Sequence, residues 1–188
     1  MEIVFIVLNV LLIAAVIMYN RLIRAKVRVR QAWAQVAVQL QRRHDLIPNL
    51  VSAVQGYASH ERQVLDEVTR TRAAALQASA ADRAEAEDSF EASLGRLLLL
   101  AENYPDLKAD ANFRALQQQL TETEDRIAFA RDFASSRVAH YRKLTTTLPG
   151  NLVAGLFRFP REEMFALDDP RAAASPDTKI GRRIARKK

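Results

Sequence analysis

Residues 3–23, IVFIVLNVLLIAAVIMYNRLI, constrain this chain more than any other stretch. From Ile3 to Tyr19 there is no charged residue, and Asn9 is the only strongly polar one. A helix rises about 1.5 Å per residue, so the stretch covers roughly the ~30 Å hydrocarbon thickness of a bilayer, with Arg21 able to reach the headgroups. Its Leu, Ile, Val and Phe side chains each favour insertion by ~0.3–0.6 kcal/mol, more in sum than one Asn removes. A cleaved signal peptide would instead carry a basic n-region and a shorter apolar run before a small-residue cleavage site. Glu2 stands where that region would be basic, and no such site follows. The stretch therefore predicts an uncleaved anchor over residues 1–23, with the lipid bilayer as its partner.

Charge gives the orientation. Arg21, Arg24, Lys26, Arg28 and Arg30 crowd the C-terminal flank of the apolar run, and no basic side chain precedes it. The positive-inside rule then places the N-terminus outside and the bulk of the chain in the cytoplasm. The absence of cysteine agrees with a reducing compartment and excludes a disulfide framework. The formal charge of +6 is concentrated beside the apolar run and in the C-terminal tail, around an acidic middle. That distribution suits an anionic lipid surface, and it argues against nucleic acid, whose partners carry their basic residues along one face of a fold.

Beyond the anchor the apolar residues keep a helical period. Leu22, Val29, Trp33, Val36, Leu40 and Ile47 fall on one stripe of a first helix, opposite Arg30, Gln31, Gln35, Gln39 and Arg42. At Arg42–Val51 that pattern meets Pro48. We expect a tight turn with Asp45 as the N-cap of a second helix, in preference to a kink in one continuous helix. Val54, Tyr57, Val64, Val68 and Ala75 then carry a second helix to about Ala80. Asp82 with Glu85 resembles a capping box opening a third helix, on Phe90, Leu94, Leu97, Leu98 and Ala101. A fourth starts near Asp110 or Asn112, follows Phe113, Leu116, Leu120, Ile127, Ala130, Ala134, Val138 and Tyr141, and stops at Pro149-Gly150. No stretch alternates with period two. The expected fold is all-α: a single N-terminal transmembrane helix followed by an antiparallel up-and-down four-helix bundle over residues 24–166, then a disordered basic tail over 167–188.

Four blocks in this order, RRHDLIPNLV (42–51), YPDLKADANF (104–113), LTETEDRIAFARDF (120–133) and LPGNLVAGLFRF (148–159), following a single N-terminal span, resemble the LemA family of bacterial proteins. The resemblance covers about residues 3–165 and implies an anchored antiparallel four-helix bundle. It implies little about activity, because the family carries no assigned biochemical function. Leu148 stands where the family often has Phe, and the basic tail is longer.

Catalytic motifs fail on inspection. His60-Glu61 opens like a zinc-protease helix, but Val64 occupies the second histidine position. Gly150 and Gly155 have phosphate-loop spacing, yet Leu156-Phe157 follow where Lys and Ser/Thr are required. No Glu-x-x-His pair and no Gly-x-Ser-x-Gly occurs. We expect no catalysis, no cofactor and no metal. Two groups of residues remain as candidate contact sites. Arg42, Arg43, His44, Asp45 and Asn49 are read either as inter-helix hydrogen bonds or as a partner-binding surface at the membrane-distal turn. Leu152, Leu156, Phe157, Arg158 and Phe159, within residues 151–167, either pack on the bundle or lie at the membrane interface. The expected function is that of a scaffold or adaptor at the bacterial inner membrane, binding a membrane or cytoplasmic protein, with self-association left open. The alternative is direct contact with the anionic membrane surface through the basic and aromatic C-terminal segment.

Overall fold

The computed structural model describes residues 1–79 and 81–159, and every regular element among them is helical. The part of 151–167 beyond Phe159 and the 167–188 tail lie outside the described residues. Six helices follow one another: α1 (Glu2–Tyr57), α2 (Arg62–Gln77), α3 (Arg83–Ala101), α4 (Pro105–Ala109), α5 (Ala111–Thr146) and α6 (Gly150–Leu156). Asp110 caps α5 by accepting from the Phe113 N–H at 2.8 Å, and Pro105 opens α4 at a position where its missing donor costs nothing. The expected capping box at α3 does not form. The Asp82 carboxylate accepts instead from the Ser79 hydroxyl at 2.6 Å, and that hydroxyl accepts from the Asp82 N–H at 3.3 Å.

One expectation is overturned at Pro48. The chain does not turn at Asp45: α1 runs without a break through the proline to Tyr57. A proline inside a helix removes one N–H and leaves the carbonyl four residues earlier without its donor, a disruption of about 3 kcal/mol. Here that carbonyl belongs to His44, and the Arg72 Nε of α2 donates to it at 2.7 Å. The orphan is satisfied by a neighbouring helix, so α1 continues. The chain turns later, at residues 58–61, just beyond Gly56, a poor helix former.

The topology follows from these contacts. α1 runs the length of the molecule and α5 returns antiparallel beside it, pairing Ala25 and Val29 with Val138 and Tyr141, and Val36 and Leu40 with Ile127 and Ala130. α2 and α3 form a hairpin against the distal half, where Arg72 reaches His44 and Glu87 reaches Arg43. The distal section is thus an up-down-up-down bundle of α1, α2, α3 and α5, and the lower section is an α1/α5 pair. The distal core gathers Ile47, Leu50, Val54, Leu65, Val68, Phe90, Leu94, Leu97, Leu107, Phe113 and Leu120. Trp33 is half-buried and packs against both of the clusters along the pair, as a core residue would.

The spacing of the buried residues shows where the pair departs from a strict heptad. Along α1 they alternate by three and four through Leu22, Ala25, Val29 and Ala32, with a four-four step at Ala32–Val36–Leu40. Along α5 the four-four step is Ala130–Ala134–Val138. Ala32, Val36, Leu40, Ile127, Ala130 and Ala134 form one cluster, so the two steps lie side by side. An inserted four-residue step unwinds a left-handed supercoil locally, and matching steps let both helices unwind together.

At the other end, Ile3 to Ile17 contribute nothing to any core. Their large side chains are mostly more than half exposed, and none of the most apolar stretch is buried within the fold. Exposing about a dozen such groups to water would cost roughly 1.5–3 kcal/mol each, so this surface calls for an apolar cover, and the helix is long and apolar enough to cross a membrane.

Candidate functional site

Two regions carry the residues singled out from the sequence. The first is a polar cluster inside the distal bundle. Arg43 and His44 occupy core positions of α1, the guanidinium fully enclosed and His44 2 % exposed. Glu87 of α3, 3 % exposed, meets both. Its Oε2 accepts from Arg43 Nη2, and its Oε1 lies 3.0 Å from His44 Nε2. Glu124 of α5 accepts from Arg43 Nη1 at 3.1 Å. Phe90 closes the cluster, with the guanidinium 5.2 Å above its ring and the His44 ring 4.7 Å away. Burial by itself would lower the Arg43 pKa, but the charges and hydrogen bonds of Glu124 and Glu87 hold it above its ordinary value. For Glu87, burial pushes the pKa up, and the hydrogen bond and charge of His44, with those of Arg43, carry it below the usual carboxylate range. Four helices are tied at this point: α1 by Arg43 and His44, α2 by Arg72, α3 by Glu87 and α5 by Glu124.

The five distal candidates therefore separate. Arg43 and His44 face inward and make inter-helix bonds, while Arg42, Asp45 and Asn49 lie exposed on the opposite side of α1, with Asp45 accepting from Gln41 at 2.8 Å. Their spacing of three and four places them on one helical face beside the exposed Pro48. They do not sit at a turn, since α1 continues for two further turns beyond Asn49. Arg72 and Glu87 were not singled out from the sequence. The signal for Arg72 was Pro48 itself, because an unbroken helix there demands a donor for the His44 carbonyl.

The second region is the corner where α5 delivers the chain back to α1. α6 packs Val153 and Ala154 against Leu22, with Met18, Tyr19, Leu144 and Phe159 around them. Gly150 makes this approach, since a Cβ there would lie 2.0 Å from the Leu144 carbonyl oxygen. Arg158 adopts φ 50°, the left-handed conformation that ends a helix, and the Phe159 N–H then bonds back to the Ala154 carbonyl at 2.9 Å. This reversal lays Phe157 and Phe159 on Tyr19, with ring centroids 4.8 and 5.6 Å away. Of the five candidates here, Phe159 is half-buried in the corner, and Leu152, Leu156, Phe157 and Arg158 are exposed. Tyr19, Gly150 and Leu148, missed as site residues, complete the corner. Among the described residues no group of His, Asp and Glu is placed to hold a metal ion.

Comparison with known proteins agrees with this architecture. Magnetosome proteins MamQ 2 and MamQ 1 of Paramagnetospirillum magneticum are each 24 % identical over 174 residues, covering 78 % of this chain and 64 % of the relative. Magnetosome protein MamQ of Magnetospirillum gryphiswaldense is 25 % identical over 155 residues, covering 68 % of this chain and 57 % of the relative. The chain thus spans less than two thirds of the length of these curated relatives. The family model of the LemA family matches residues 32–179, which takes in α1 from Ala32 onward and all of α2 to α6. The chain belongs to the LemA family, and its first helix is long and apolar enough to cross a membrane.

Proposed function

We propose that this protein works by binding: a scaffold at the bacterial inner membrane that holds a helical head at a fixed height over the cytoplasmic surface. The observation that carries this reading is the unbroken course of α1 from the apolar span into the head. From Ile23 to Tyr57 the helix rises about 50 Å at 1.5 Å per residue, and α5 braces most of that length. A partner engaged at the head is thereby kept at a set distance from the bilayer. The face we assign to that partner is Arg42, Asp45 and Asn49, which is exposed and makes no bond across the bundle. The reading includes no catalysis. Five arginine and lysine residues between Arg21 and Arg30 support a cytoplasmic head.

Affinity capture from detergent extracts, with the triple variant Arg42→Ala, Asp45→Ala, Asn49→Ala beside the native chain, tests the reading. A protein held by the native chain and depleted at least tenfold with the variant is expected. Equal recovery by both removes this face, and digestion of the head by protease added outside intact cells removes the topology.

A further inference from the structure

α6 is built inside out. The side it turns toward α1 and α5 carries Gly150, Val153 and Ala154, all buried. The side it turns away carries its largest residues: Leu152 is 67 % and Leu156 78 % exposed, with Leu148 just before the helix 73 % and Phe157 just after it 55 %. Leu152 and Leu156, four residues apart, share one edge of the helix, and Leu148 and Phe157 lie exposed just outside its two ends. A helix packed on a water-soluble domain does the reverse, burying its bulky residues and presenting its small and polar ones.

The position of this edge says what covers it. α6 docks on α1 at Met18, Tyr19 and Leu22, where the uncharged run gives way to Arg21 and Arg24. Immediately before that level, Ile13, Val16 and Ile17 of α1 are themselves exposed. The exposed apolar residues of α6 thus lie at the level where the apolar surface of the span ends, and the aromatic group Tyr19, Phe157 and Phe159 sits at that level. Aromatic side chains favour the boundary between headgroups and hydrocarbon, and the exposed Arg158 can reach outward to lipid phosphates from the same place.

We propose that the edge formed by Leu148, Leu152, Leu156 and Phe157 is seated in the cytoplasmic boundary layer of the bilayer that α1 crosses, making α6 an interfacial helix. The membrane is then held at two points, the span and α6, so the stalk can neither rotate about α1 nor tilt freely. This rests on the anchored reading of α1, and the test reports that reading separately.

The chain lacks cysteine, so single labels are unambiguous. The full chain is reconstituted in phosphatidylethanolamine–phosphatidylglycerol vesicles as four variants, Leu152→Cys, Leu156→Cys, Val38→Cys and Leu12→Cys, each carrying an environment-sensitive fluorophore. Quenching by lipids with a nitroxide high on the acyl chain is compared with quenching by aqueous iodide. Labels at 152 and 156 are expected to be quenched by the lipid nitroxide at least threefold more than the label at 38, and by iodide at least threefold less. Iodide access equal to that at 38 overturns the proposal. Shielding from both quenchers also overturns it, since a second copy or a partner protein would then cover the edge. A label at 12 that a lipid nitroxide placed deep on the acyl chain does not quench brings down the anchored reading itself, and this inference with it.

Discussion

Glu87 buries a carboxylate at 3 % exposure, which is tolerable only because Arg43 and His44 both meet it. Removing one member of such a group leaves an uncompensated charge in the core. Glu87→Gln is expected to destabilise the head by about 3–5 kcal/mol, read from urea unfolding followed by circular dichroism. The pH dependence has a definite sign. The Glu87 pKa is lower folded than unfolded, so its contribution is full above the ordinary glutamate value of about 4.3 and is lost as pH falls through the folded value. Stability of the native chain should fall on acidification below about pH 5, and the fall should be shallower in Glu87→Gln. Equal acid slopes in the two proteins would mean that this carboxylate is not linked to folding. The same burial explains why Arg43 is a poor choice for probing partner contacts. Its substitution would perturb the head itself, whereas Arg42, Asp45 and Asn49 can be changed without touching the core.

Among the elements, α1 and α6 each depend on one backbone detail. α1 survives Pro48 because Arg72 supplies the missing donor to the His44 carbonyl. Arg72→Ala should cost about 1–3 kcal/mol, the penalty of a buried acceptor left without a partner. Pro48→Ala restores an N–H to the same carbonyl, so the cost of Arg72→Ala should shrink by at least half in that background, a coupling a double-mutant cycle measures directly. Additive effects would mean that Arg72 acts elsewhere. α6 depends on Gly150, whose missing side chain admits the Leu144 carbonyl. Gly150→Ala should destabilise the α5–α6 corner by about 1–3 kcal/mol, as overpacking against backbone does, and calorimetry of the reconstituted protein would register it as a lower Tm.

Taken whole, the molecule is a stalk of two helices carrying a head of four, and its stability resides in residues that follow the apolar run. Residues 3–17 join no core cluster, so a chain beginning at Met18 should keep the unfolding free energy of the distal bundle within about 1 kcal/mol, while its vesicle association, left to α6 alone, becomes reversible on dilution. A larger loss of unfolding free energy would contradict the separation of the apolar run from the head. The all-α class, the α3 and α5 positions and a long apolar N-terminal helix were legible because each is written locally: a period of three and four, or an uncharged run of bilayer length. LemA membership was legible in four blocks of sequence for the same reason.

What the sequence could not supply was anything decided between segments. Pro48 predicts a turn from local chemistry alone, and only the arrival of Arg72 from another helix makes a continuous α1 the cheaper outcome. Arg42, Arg43, His44, Asp45 and Asn49 look alike in the chain, and helix docking sorts them into two buried residues bonded across the bundle and three exposed ones. Leu152, Leu156, Phe157, Arg158 and Phe159 stood out in the chain, but seven helical residues of mixed size do not say which side will be covered. Periodicity fixes where a helix forms, since that depends on neighbours along the chain. Which face it buries, and whether a broken hydrogen bond is mended, depends on groups dozens of residues away, and packing alone brings those together.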